Sequence, residues 1–237
     1  MEILRDEEYV AKQKKRSQRA SLIGFVFLLG GFVLVFINIQ NLLLFQLLAL
    51  LVGFTLSQYG IYLAHRFNRS PRPDEILDEA VKKAARGEQM YHYVLPSPHV
   101  LLTKAGPIVF VLKYQVGNIV ANENNWKQTG IGFRRYFGQE GLGNPSKDAE
   151  KAIAALAGYI KANIPDLLEV PVGAIIVFTS KDIKNLDVDD ADFPAMHYSK
   201  VKGFLRQKST SSEPMSKEKY DALQAAFDLT ASESLSE

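Results

Sequence analysis

From Ala20 to Ala64 the chain is predominantly apolar and carries no Asp, Glu, Lys or Arg over 45 residues. As one helix that run would extend about 68 Å, more than twice the roughly 30 Å hydrocarbon thickness of a bilayer. It is interrupted at Asn38-Ile39-Gln40-Asn41, whose amides offer the side-chain hydrogen bonds of a tight exposed turn. The pattern therefore predicts a transmembrane hairpin over 20–65, with helices near 21–37 and 42–64. A secretory signal is a poorer fit, because the first apolar run leads into a longer one with no small-residue cleavage site between them.

Beyond the hairpin the pattern changes twice. Residues 66–73 hold Pro71 and Pro73 and read as a linker. Asp74–Arg86 reads as an amphipathic helix, with Ile76, Leu77, Ala80, Val81 and Ala84 on one face and Gly87 as its stop. Short runs rich in β-branched and aromatic residues follow at Tyr91–Leu95, Val100–Thr103, Ile108–Lys113 and Asn118–Ala121, their close spacing implying an antiparallel meander. Asn122–Asn144 is polar and glycine-bearing and reads as a surface excursion. Ser146–Asn163 is a helix between Pro145 and Pro165. Val172–Phe178 is a buried strand, Ala195–Tyr198 a short one, and Lys200–Gln207 and Lys217–Leu229 are closing helices. The expected architecture is α/β: the hairpin, then a domain over 74–208 forming an α/β sandwich with a mixed central sheet, then a C-terminal helix and an acidic, Ser-rich, disordered tail within 209–237.

Charge fixes an expected orientation. Arg5, Lys12, Lys14, Lys15, Arg16 and Arg19 lie in a basic segment over 1–19, and Arg66, Arg69, Arg72, Lys82, Lys83 and Arg86 follow the second helix, while the connecting turn has none. Positive flanks stay on the cytoplasmic side, so both termini are expected inside a multi-pass protein of the cytoplasmic membrane. The lipid bilayer is the first expected partner, with anionic headgroups facing these cations. The formal net charge of +2 conceals this distribution. The chain has no cysteine, which removes disulfides, thiolate metal sites and cysteine nucleophiles. His65, His92, His99 and His197 follow no metal-binding spacing, and no small-molecule substrate is indicated.

The stretch Leu95-Pro96-Ser97-Pro98-His99, running through the Gly106 turn to Val111-Leu112-Lys113 and followed by Gly117-Asn118-Ile119, Trp126 and Asn144-Pro145, resembles the NERD (nuclease-related) domain. That family looks like a branch of the PD-(D/E)xK nuclease superfamily, so the resemblance implies a restriction-endonuclease-like fold over most of the region after the linker. In such nucleases an Asp and a Glu jointly hold a divalent cation while the Lys orients the nucleophile. Here the Asp position falls at Pro98 and the Glu position, two before Lys113, at Val111, and neither ligates a metal. The resemblance thus implies a pseudoenzyme with Lys113 as a relic. Glu75 and Glu123 are the acids available to substitute, and His99 is a further possible occupant of the old site. On residue chemistry alone, Lys113 equally reads as a strand-ending lysine reaching solvent, and His99 as a hydrogen-bonded structural histidine.

Trp126, Lys127, Arg134, Arg135 and Tyr136 interleave aromatics with cations. Single-stranded nucleic acid binding uses that pairing for stacking and phosphate contact, docking at lipid headgroups uses it too, and a structural loop is the third reading. Gly30, Gly31, Gly53 and Gly60 would let helices approach closely, within the hairpin or against another membrane protein. The expected function is a membrane-anchored binding or scaffolding module with no cofactor. The alternatives are an Mg²⁺-dependent nuclease with relocated carboxylates and a small subunit of a membrane complex.

Overall fold

Glu2–Arg5 forms a strand, β1, that pairs in parallel with β2 (Gln89–His92), in the register Glu2↔Gln89 to Arg5↔His92. The first residues of the chain therefore form the edge of a sheet whose other strands lie beyond the apolar hairpin in sequence. The computed structural model of the chain describes residues 1–36, 42–132, 140–165, 167 and 170–236. They divide into two units, one of Met1–Glu7, Pro73–Gly132 and Leu142–Glu237, the other of Glu8–Arg72 and Phe133–Gly141.

The second unit contains α1 (Glu7–Leu34) and α2 (Leu43–Phe67), both long and apolar enough to cross a membrane. The basic segment over 1–19 comprises β1 and the first turns of α1, and Ile37 lies outside the described residues. The helices meet along small side chains. A Cβ on Gly24 would lie 2.6 Å from Ser57 Oγ, one on Gly53 2.7 Å from the Leu28 amide nitrogen, and one on Gly31 2.9 Å from Leu50 side-chain carbons. Ser17 Oγ donates to the Gly60 carbonyl (3.0 Å) and accepts from Asn68 Nδ2 (3.1 Å). Gly31, Gly53 and Gly60 thus sit at the contact as expected, whereas Gly30 has open space around it and Gly24 joins the stripe. Leu28 and Leu50 pack at this seam, while other large side chains of the hairpin face outward, with Phe36 74%, Leu44 65% and Phe25 61% exposed.

In the first unit, α3 (Pro73–Val81) ends before the expected Arg86, and β2 is followed by β3 (His99–Thr103) and β4 (Gly106–Lys113) in an antiparallel meander. Next come β5 (Gly117–Glu123), β6 (Asn125–Thr129), α4 (Pro145–Asn163), β7 (Gly173–Phe178), β8 (Ile183–Ala191), β9 (Ala195–His197), α5 (Tyr198–Ser211) and α6 (Lys217–Ser236). Among the described residues the strands form two sheets rather than the single one expected: β1-β2-β3-β4-β7-β9 and β6-β5-β8. In the larger sheet β4 and β7 run parallel, joined by a crossover through α4, and β7 and β9 also run parallel. Gly117 opens β5 with φ +86°, where a Cβ would stand 2.5 Å from the Thr129 carbonyl oxygen.

Both faces of the larger sheet are covered, which is why β4 and β7 read as continuous apolar runs. Val100, Leu102, Val109, Ile176 and Phe178 pack with Leu156 and Ile160 of α4 and Leu223 and Phe227 of α6. Leu101, Ile108, Phe110, Ile175 and Val177 pack on the other side with Leu77 and Val81 of α3 and Val201 and Leu205 of α5. Each fully buried aliphatic side chain contributes about 1.5–3 kcal/mol of transfer free energy. The C-terminal segment expected as a disordered tail continues α6 to Ser236, with Ala231 buried in the first core and Ser234 Oγ bonded to Asp6 Oδ2 at 3.2 Å.

Candidate functional site

The period-2 alternation along β4 turns Val109, Val111 and Lys113 toward α4, opposite to Ile108, Phe110 and Leu112. Lys113 is only 6% exposed. Its ammonium donates to Asp148 Oδ2 at 2.7 Å and to the Leu142 carbonyl at 3.1 Å, while its own carbonyl accepts from the Thr179 N–H at 2.8 Å. Asp148 stands in the first turn of α4, which starts at an Asn144 cap accepting from the Lys147 N–H (3.0 Å) with Pro145 at the first helical position. Its carboxylate side is open to water, 44% exposed against 7% for the lysine side chain.

No sequence-derived partner joins this pair. The β3–β4 register, continued from Val100↔Val109, sets Pro98 opposite Val111 beside it, and neither offers a side-chain oxygen ligand. Glu75 belongs to α3, which covers the other face of the sheet. His99 also faces that side, bonded to His92 (Nδ1 to Nδ1, 2.8 Å). Glu123 is exposed at the end of β5. Among the described residues no three acids or histidines are arranged to hold a metal. Asp148 is missing from the sequence-derived set, although an acid in the first turn after an Asn-Pro helix start is a legible signal.

The aromatic and basic segment is only partly brought together. Residues 122–129, expected as part of an excursion, continue β5 and form β6, where alternation sends Trp126 and Lys127 to opposite faces. Trp126 turns inward, its Nε1–H donating to Ser146 Oγ (2.9 Å) and its ring 6.1 Å from that of Phe178. Lys127 is exposed. Arg134, Arg135 and Tyr136 lie outside the described residues.

A second polar cluster is buried on the α3 face. Arg5 Nε lies 2.9 Å from Asp74 Oδ2, and the same guanidinium pairs with Asp78. Asp78 Oδ1 in turn meets His92 Nε2 at 2.8 Å. Asp74 and His92 are fully buried. This chain of contacts ties β1, which precedes the hairpin, to α3, which follows it. In sequence Asp74, Leu77, Asp78 and Val81 share a helical face, so the buried acids were legible as a break in an apolar stripe. Elsewhere in the unit, burial holds the Tyr91 phenol well above its usual range, helped by its hydrogen bond to Asp228 Oδ1 (2.7 Å). Burial also raises the Glu88 carboxyl to about 7, opposed by the Lys104 ammonium.

The chain matches no protein family, no curated protein and no solved structure.

Proposed function

We propose that this protein is a membrane-anchored, NERD-like module that binds or scaffolds at the cytoplasmic face without cutting nucleic acid. The observation that carries the reading is the pairing of β1 with β2. The chain leaves the sheet-bearing unit before α1 and re-enters it at Pro73, so the apolar hairpin has both ends built into one folded unit. Two helices that traverse a bilayer from such a unit must leave from and return to the same side. Exposed Phe and Leu side chains along both helices support lipid contact, since a soluble protein's core helices would bury them. The order α3-β2-β3-β4-β5-β6-α4-β7, with β4 and β7 parallel and Lys113 ending β4, supports a restriction-endonuclease-like core in which β5 and β6 stand apart in the second sheet. With Pro98 and Val111 in the acid positions, the Lys113 site offers, among the described residues, the carboxylate of Asp148 alone, too few to cage Mg²⁺ beside a phosphate.

The cysteine-free chain allows the anchoring to be tested by single substitutions. Gln40→Cys should react with a membrane-impermeant maleimide added outside intact cells, and Ser232→Cys only after permeabilisation. Labelling of both from one side, or release of the chain from membranes by alkaline carbonate, would refute the anchor.

One observation favours a second reading, a nuclease whose carboxylate has moved to α4: the 2.7 Å contact of Asp148 with Lys113. Titrating Mg²⁺ or Mn²⁺ with nucleic acid separates the two. Metal-dependent cleavage lost in both Lys113→Ala and Asp148→Asn would establish the second reading and overturn the first.

A further inference from the structure

We propose that the cleft between the β3–β4 turn and the α5–α6 connection binds a small monocarboxylate with an apolar body, its carboxylate held by Lys104 and Lys208 against Glu88. The cleft encloses about 620 Å³, within the roughly 300–1,000 Å³ of small-molecule sites. Its walls are largely apolar, with Ile108, Val172 and Leu205 among them, and its charged groups are Glu88, Lys104, Lys208 and Glu213. It opens at the starts of β4 and β7, the opposite ends of those strands from Lys113.

Two glycines shape it. Gly106, at φ +127°, brings the β3–β4 turn so close to Pro171 that a Cβ would stand 2.8 Å from the proline's carbonyl oxygen. At Gly173 the missing side chain leaves room for the Lys208 ammonium, 3.2 Å from where a Cβ would be, so this cation lies over the floor of the cleft. Burial raises the Glu88 carboxyl to about 7, which brings its protonated form within reach near neutral pH. In that form its hydroxyl donates a hydrogen bond to an incoming carboxylate instead of repelling it. The charged and titratable groups around it are Lys104, Lys208, Glu213, the Met1 amine and Tyr220. An anion entering beside Glu88 favours its protonated form, so binding takes up a proton and tightens as pH falls. A phosphate suits the cleft less well, because its second charge meets Glu88 and Glu213 and the apolar walls go unused.

The test is ¹⁹F NMR of 4-fluorobenzoate with the full chain in lipid nanodiscs. Saturable binding is expected, tighter at pH 6 than at pH 8 by about tenfold and weakened about tenfold by Lys208→Gln. Glu88→Gln should bind with little pH dependence. Lys104 is exposed, so Lys104→Gln provides a second variant that leaves the core untouched, and it should weaken binding in the same direction. Equal binding of neutral 4-fluorobenzamide, displacement by inorganic phosphate at concentrations below those of benzoate, indifference to both lysine substitutions, or absence of saturation would each overturn the proposal.

Discussion

His92 and His99 meet ring to ring, their Nδ1 atoms 2.8 Å apart. Only one proton fits between two nitrogens at that distance, so one ring donates and the other accepts. The far nitrogen of His92 is committed to Asp78, which is also paired with Arg5. Replacing His92 by Leu leaves a buried carboxylate with one partner fewer and His99 without its mate. The expected cost is about 2–4 kcal/mol, against about 1–3 kcal/mol for His99→Leu. Denaturant unfolding of the full chain in detergent measures both. Arg5→Met should also speed hydrogen exchange at the amides of residues 2–5 while the β3–β4 ladder stays protected. Wild-type stability in His92→Leu would mean that the cluster does not hold β1 and α3 together.

At Lys113 and Asp148 the two halves of an ion pair have unequal surroundings: the lysine is buried and the acid half in water. Their removal should therefore be unequal. Asp148→Ala leaves a buried ammonium with the Leu142 carbonyl as its one remaining partner among the described residues, a loss of about 1–3 kcal/mol. Lys113→Met fills the same space without charge and lets Asp148 hydrate, so it should cost less than about 1 kcal/mol. Chemical denaturation of the two variants decides it, and equal losses would contradict the asymmetry.

Where burial follows one period, the chain was legible; where a special local geometry intervenes, it was not. The hairpin, α4 and strands β3, β4 and β7 were readable because their apolar residues recur at 3.6 or fill both faces. β8 was hidden by its own irregularity. Its register against β5 shifts between Gly117↔Ile183 and Asn118↔Asn185, so the inward residues Ile183, Leu186 and Val188 fall out of alternation among exposed acids. β6 offers one inward aromatic, Trp126, in a polar strand. β1 is four residues whose partner lies more than 80 positions along, and no local pattern reports such pairing. The same limit applied to the site. Lys113 is legible as the polar end of an apolar strand, but Asp148 and Arg5 gain their meaning from contacts across the fold.

Glu88 makes stability depend on pH in a direction opposite to that of a salt-bridged acid. Its carboxyl titrates at 4.5 in the absence of structure and at about 7 in the fold. Between those values the folded chain holds a proton that the unfolded chain has released. The contribution of this group is therefore most favourable below pH 4.5 and is lost as pH rises through about 7. Allowing for its partial exposure, the change should be about 1–2 kcal/mol. Melting temperatures of wild type and Glu88→Gln between pH 5 and 8 provide the check: the wild type should lose stability relative to the variant as pH rises. Parallel curves would remove Glu88 as the source.

Gly24 and Gly30 occupy the same helix, yet substitution should affect them very differently. A Cβ on Gly24 would meet Ser57 Oγ at 2.6 Å and the Ser57 amide nitrogen at 2.8 Å, so part of the obstruction is α2 backbone, which cannot rotate away. Gly30 faces open space. In a bilayer, lipid is as apolar as leucine, so helix pairing depends on close backbone approach and on bonds such as that from Ser17 to the Gly60 carbonyl. Gly24→Leu should force the helices apart and lower stability by about 1–3 kcal/mol, and Gly53→Leu, opposed by the Leu28 amide, should do the same. Gly30→Leu should be neutral, or slightly stabilising through better helix propensity. Thermal unfolding in a mild detergent, followed by cysteine cross-linking between Ser21→Cys and Ser57→Cys in each background, gives the readout. Retained cross-linking and melting temperature in Gly24→Leu would show that the two helices do not depend on this seam.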